Sequence, residues 1–313
     1  MEYNEAVMSP SATSLRLAIG PLRYLLVAHD GWGREALSRL STGVDCVPFA
    51  TPPDRVLHLL EFHPSENEWQ EIRSCSVPHR LAEVLPAGAP TRGWTLASDD
   101  TGGCCWQHKD TSQTLWTHGL TKPHFTAAFQ LPWEPLLADI SRLGGGVIHA
   151  GLVLFGGRGY LLTAPPGGGK TTALSRLPRP WRVQSDDAAL LWPAEPSGFL
   201  ASPLPTWGVL IQGSAPLPDV QPWRIAQTST VAGVALLQKS DRVELAALTP
   251  IESAQHLYRA LCEHPRVVSV RHRFRRQAFR TASEVARTIP TWRLQLTHQG
   301  DFWIPLAHAF ATA

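Results

Sequence analysis

The segment Ala164-Pro165-Pro166-Gly167-Gly168-Gly169-Lys170-Thr171 carries the clearest chemistry in the chain. It fits a relaxed Walker A pattern, with alanine at the position usually held by the first glycine. Consecutive glycines let backbone N–H groups converge on phosphate oxygens, a following helix adds partial positive charge at its N-terminus, and a lysine reaches the β and γ oxygens. On that reading ATP lies on residues Ala164 to Thr172, Lys170 neutralises the transferred phosphate, and Thr171 holds Mg²⁺. A glycine-rich turn followed by a chance lysine is the bland alternative. Context weighs against it, because an apolar run from Gly159 to Thr163 precedes the loop and Thr172-Ala173-Leu174-Ser175-Arg176-Leu177 can continue as a helix.

Phosphoryl transfer to a hydroxyl also needs a group to accept the hydroxyl proton. Asp186 follows the run Trp181-Arg182-Val183 and is expected at a strand end near the phosphates. Asp187 beside it would help to hold Mg²⁺, directly or through water. A plain Asp-Asp turn pair, like Asp99-Asp100, is the competing reading, and the residues alone leave both open. His149 begins an apolar strand, where a lone histidine is ordinarily a satisfied core residue. The other histidines have no metal-ligand spacing. The one dense basic run, Arg271 to Arg280, leads into a helix reaching about Thr288, and a solvated helix face is its ordinary fate. Trp207 and Trp223 are candidates for an acceptor-site wall, with packing beside prolines as the alternative.

The elements that must position these residues fall into two expected domains, 1–128 and 129–313. Strand-like runs at Leu15–Ile19, Tyr24–Ala28, Val56–Phe62, Trp94–Ser98, Cys104–His108 and Thr114–His118 make the first a strand-rich, mixed module. Helices are expected near Arg34–Leu40 and Glu68–Ile72. From Trp133 the spacing of Leu136, Leu137, Ile140 and Leu143 is helical, ending at Gly144-Gly145-Gly146. Val147 to Phe155 and Gly159 to Thr163 then form a hairpin around Gly156-Gly157-Arg158. Short strands at Val183, Ala188-Ala189-Leu190-Leu191 and Phe199-Leu200 favour an antiparallel layout over repeated β-α units, so an α/β (α+β) fold is expected.

Bulk properties exclude several classes. Net charge is +2 from 28 basic and 26 acidic residues, so no global field draws the chain to nucleic acid or an anionic membrane. No apolar run reaches the roughly 18 residues that span a bilayer, and the acidic N-terminus lacks the basic start of a signal peptide, so a cytoplasmic location is expected. Five cysteines without CxxC spacing are expected to be free thiols.

Together, His149-Ala150-Gly151-Leu152-Val153, the hairpin, the Walker A loop and Ser185-Asp186-Asp187 resemble the catalytic core of HPr kinase/phosphorylase over roughly residues 130 to 300. They are also similar to the HPr-kinase-like proteins of bacterial clusters for ribosomally made peptides. The resemblance implies a P-loop kinase core of HPr kinase/PEP carboxykinase type behind the strand-rich N-terminal domain. It implies Asp186 as general base, His149 beside the γ-phosphate, and Asp187 with Thr171 on the metal. Its implied reaction is γ-phosphate transfer from MgATP to a serine hydroxyl of a peptide or protein, a natural-product precursor peptide being one such substrate. A small-molecule kinase acting on a free serine-like metabolite, and a nucleotide-dependent peptide-binding module without catalysis, are the alternatives. A homo-oligomer is a further implication. The family's Glu/Arg-Gly-x-Gly stretch has no match: the corresponding Ser202 to Gly208 supplies no second-metal carboxylate and no support for a phosphorylase half-reaction.

Overall fold

The computed structural model describes residues 13–44, 50–62, 65–73, 93–100, 103–109, 111, 113–118, 133–204, 223–262 and 271–312. Trp207, the Ser202–Gly208 segment beyond Leu204, and the N-terminal tail therefore lie outside the described residues. The chain forms two compact units, Met1–Pro135 and Leu136–Ala313, both mixed α/β.

In the first unit, strands β1 (Thr13–Ile19), β2 (Leu22–Ala28), β3 (Arg55–Glu61), β4 (Trp94–Asp100), β5 (Gly103–His108) and β6 (Gln113–His118) form one sheet in the order β1-β2-β3-β6-β5-β4. The β2-β3 and β3-β6 pairs are parallel, and the others are antiparallel hairpins. Parallel neighbours need a crossover, and helix α1 (Gly31–Gly43) supplies it between β2 and β3. Asp30 caps α1 by accepting from the Gly33 N–H at 2.7 Å. Its second oxygen accepts from the Glu61 N–H, tying the helix start to β3. Helix α2 (Glu66–Arg73) follows, and the sheet buries Leu17, Leu26, Leu57, Trp106 and Leu115. Asp99 and Asp100, expected in a turn, are the last residues of β4 and pair with Cys104 and Gly103.

The second unit begins within helix α3 (Trp133–Arg142) and holds a larger sheet. Its strands are β7 (Gly146–Ile148), β8 (Ala150–Phe155), β9 (Arg158–Thr163), β10 (Arg182–Ser185), β11 (Ala188–Pro193), β12 (Phe199–Leu204), β13 (Ser229–Lys239), β14 (Glu244–Ala247) and β15 (Thr291–Leu296). The path runs β10-β8-β9-β13-β12-β11-β7, and β15 joins β13 with β14 outside it. Strands β9, β13 and β15 are mutually parallel; the other pairs are antiparallel.

The side-chain period of two splits this sheet's residues between two cores. Ala150, Leu152 and Leu161 face helices α5 (Pro250–Cys262) and α6 (Arg271–Thr288), packing with Leu257, Leu261, Ala282 and Val285. Val153, Tyr160 and Leu162 face the other way, with Leu174 of the short helix α4 (Lys170–Ser175) and Phe302, Leu306 and Phe310 around helix α7 (Trp303–Thr312). Tyr160 stacks on Phe310 with ring centroids 3.7 Å apart and donates its hydroxyl to the Phe310 carbonyl at 3.1 Å. No helix among the described residues is long and apolar enough to cross a membrane.

The expected single run Val147–Phe155 is two strands. The chain breaks at His149, because β7 pairs with β11 while β8 pairs with β9 and β10 on another branch of the sheet. Helix α6 likewise contains the basic run from Arg271 onward instead of following it.

Candidate functional site

Two short links cross between the branches of the larger sheet. His149 alone joins β7 to β8, and Asp186-Asp187 alone join β10 to β11. Each pair of joined strands lies toward opposite ends of the strand path, so the sheet curls back and the links meet. His149 Nε2 lies 3.2 Å from Asp187 Oδ1. A bulge between Val183 and Ser185 precedes the aspartates, the kind of irregularity that re-aims the residues after it. The backbone of His149 is pinned independently: its N–H donates to the Ala260 carbonyl at the end of α5, at 2.9 Å.

The glycine-rich loop enters from the end of β9 and runs into α4. Gly167 and Gly169 have φ of 72° and 88°, the left-handed region that favours glycine. Gly168 is required by space: a methyl there would lie 2.8 Å from the Pro165 carbonyl oxygen and 2.9 Å from the Ala164 side chain. Ala164 is buried at the base of the loop, while Pro165, Pro166 and Gly167 are exposed. Gly151 admits the helix that follows, since a methyl on it would meet Leu174 at 2.5 Å.

Lys170 ties the loop to the aspartate link. Its Nζ donates to the Asp187 carbonyl at 2.9 Å and lies 3.4 Å from Asp187 Oδ1. Burial lowers the Lys170 pKa, while the charges of Asp187 and Asp186 pull it back up. One carboxylate, Asp187, is thus shared by a buried ammonium and an imidazole. Asp186 is half-buried next to it, and Thr171 and Thr172 are exposed at the start of α4. Of the residues expected to act, the structure gathers Lys170, His149, Asp186 and Asp187 beside the loop. Asp187, expected on the metal, contacts Lys170 and His149, and among the described residues no cluster of three or more His, Cys, Asp or Glu is arranged to hold a metal.

A cavity of about 540 Å³ lies beside this assembly, lined by His149, Thr163, Ala164 and Pro165 together with His256, Arg259, Arg293 and Gln295. The end of β13, Leu236 to Gln238, also lines it. The next residue, Lys239, has its side chain against the loop, 3.6 Å from where a Gly169 methyl would stand. Sequence reasoning missed Lys239, His256, Arg259 and Arg293. A signal for Lys239 was available, as the first cation after the longest apolar run of the unit; the other three stand far from the motif in sequence. The basic run it noticed instead puts Arg275, Arg276 and Arg280 in solvent. Trp223 is buried at 1% exposure and does not line the cavity.

No curated protein matches this chain. The family described as SynChlorMet cassette protein ScmC matches residues 129–311, which takes in the glycine-rich loop, both crossing links and the cavity. Because that match covers more than half of its length, the chain belongs to the ScmC family of SynChlorMet cassette proteins.

Proposed function

We propose that this chain is an ATP-dependent kinase of the HPr kinase type, transferring the γ-phosphate of MgATP to a hydroxyl, with a serine of a peptide or protein as the acceptor. The observation that carries this reading is the sharing of Asp187 by Lys170 and His149 at the foot of a glycine-rich loop, with Asp186 alongside. The loop has room for a polyphosphate: Gly167 is exposed and a methyl on it would meet nothing within 4 Å, while Lys170 and Lys239 lie beside the loop with positive charge. Mg²⁺, when bound, would neutralise phosphate charge, and Thr171 and Asp187 are the residues that would hold it.

In the transfer, the acceptor oxygen forms a bond to the γ-phosphorus as the bridging bond to the β-phosphate breaks, and ADP leaves with that electron pair. Asp186 takes the hydroxyl proton, and Lys170 stays on the phosphate oxygens. His149 holds Asp187 and faces the transferred group. A small hydroxylated metabolite as acceptor is a second reading, favoured by the cavity, whose volume and mixed polar and apolar wall suit a small ligand.

The test is transfer of radiolabelled γ-phosphate to candidate peptides and free hydroxy amino acids by the wild-type chain and by Asp186→Asn. The expected result is transfer by the wild type and a loss of about 10²- to 10⁴-fold in the variant, with ATP still bound. Normal transfer by Asp186→Asn would remove the base assignment.

A further inference from the structure

The cavity beside the glycine-rich loop has a cationic wall to which the transfer chemistry gives no role. Glu252, His256 and Arg259 follow one another around a single stripe of α5, spaced four and three residues apart in the sequence, and Arg293 and Gln295 occupy one face of β15. His256, Arg259, Arg293 and Gln295 line the cavity. Among the described residues that line it, none is acidic.

Glu252 is fixed from behind. It closes a capping box with Thr249, accepting from the Thr249 N–H at 3.0 Å and its hydroxyl at 2.9 Å, and its other oxygen accepts from Arg293 Nη2 at 3.2 Å. That carboxylate holds Arg293 at the wall and offsets one of the two arginine charges. Arg259 is exposed and has no carboxylate partner among the described residues, so the wall keeps an excess positive charge. Between them His256 is kept below its usual pKa by burial and by the charges of Arg259 and Arg293, which leaves a neutral imidazole able to donate one hydrogen bond and accept another.

A wall of this kind is built for an anion, and the nucleotide phosphates are the wrong anion for it. The backbone that would cradle them runs from Gly167 to Thr171, and none of those residues lines the cavity; only Ala164 and Pro165 at the loop's base do. We propose that the phosphoryl acceptor carries a carboxylate close to its hydroxyl, that Arg259 and Arg293 hold the carboxylate beside His256, and that the hydroxyl faces His149 and the aspartate link. The word acceptor rests on the kinase reading; the anion site does not. A free hydroxy amino acid and an acidic residue next to serine in a peptide present the same chemistry, and the test separates them.

The full-length chain is titrated calorimetrically, without nucleotide, with L-serine, with L-serinamide, and with the blocked dipeptide acetyl-Ser-Asp-amide. The expected result is binding of at least one carboxylate-bearing probe and binding of serinamide about tenfold weaker or more. Serine alone identifies a free acid; the dipeptide identifies an acidic peptide residue. Arg259→Gln and Arg293→Gln are each expected to weaken the carboxylate probe by about tenfold while moving the ATP dissociation constant by less than about threefold. Arg259 is exposed, so its variant carries the test even if Arg293→Gln folds poorly. Equal binding of serine and serinamide, no binding of either acid, or variants that weaken ATP in place of the acid would overturn the proposal. A bound acid that MgATP does not phosphorylate would instead defeat the kinase reading and leave the anion site standing.

Discussion

Each unit of the molecule holds one notable histidine site, and the two are built oppositely. In the first unit His29 Nε2 meets His58 Nδ1 at 3.1 Å, with the rings 5.3 Å apart, and among the described residues neither ring is ion-paired with a carboxylate; Asp30 acts on His29 only through its charge. His58 is 6% exposed, and its Nε2 has no hydrogen-bond partner among the described residues. In the second unit His149 meets Asp187 at 3.2 Å, shares it with Lys170, and lines a cavity. The imidazole is the same, and the acid beside it decides its use. Buried without an acid, a histidine is a cost that the surrounding fold must offset. Held by an acid at the edge of a cavity, it can orient charge toward a ligand.

The second site should give the largest effect on substitution. His149→Asn is expected to lower γ-phosphate transfer by about a hundredfold, since a general acid–base network loses two to four orders of magnitude when a member is removed. A variant with full transfer rates would reduce His149 to a structural link.

The first site should answer to acid instead. Burial, helped by the charge of His29, pushes the His58 pKa down to about 3 from 6.5. His29 is also lowered by burial, against the raising charge of Asp30. Below pH 6.5 the unfolded chain binds a proton at His58 that the folded chain refuses until about pH 3, so stability falls with pH across that window. The loss from pH 7 to pH 5 is about 2 kcal/mol from His58 alone. His58→Gln should flatten that slope in thermal unfolding followed by circular dichroism and leave transfer untouched. An unchanged slope would remove the account of the first site.

A smaller effect sharpens the contrast. Gly168→Ala forces a methyl onto the Pro165 carbonyl at 2.8 Å and should weaken ATP binding by about tenfold through loop distortion, with the acid-dependent slope of the first unit unchanged.

Local signals made much of this legible in the sequence. The alternating runs of the first unit and the Asp30-capped helix α1 follow from side-chain period and turn residues that act within a few positions. The strand, glycine loop and helix around Lys170 are equally local. What stayed hidden depends on curvature of the sheet. Val147 to Phe155 is uniformly apolar apart from His149, so no period change marks the step from β7 to β8. Pairing alone reveals that His149 and Asp186-Asp187 are crossings of the same kind. Arg259 and Arg293 were invisible for a related reason: they converge because α5 packs over the parallel strands, and neither lies near a motif.

The kinase function proposed for the second unit depends on the glycine-rich loop and Lys170 binding MgATP. Isothermal titration of the full-length chain with MgATP, beside Lys170→Ala, tests it most directly. Saturable one-to-one binding is expected, weakened in the variant by about tenfold to a hundredfold, the scale of one lost charge-assisted contact to phosphate. Absence of binding by the wild type, or equal affinity in Lys170→Ala, would contradict it.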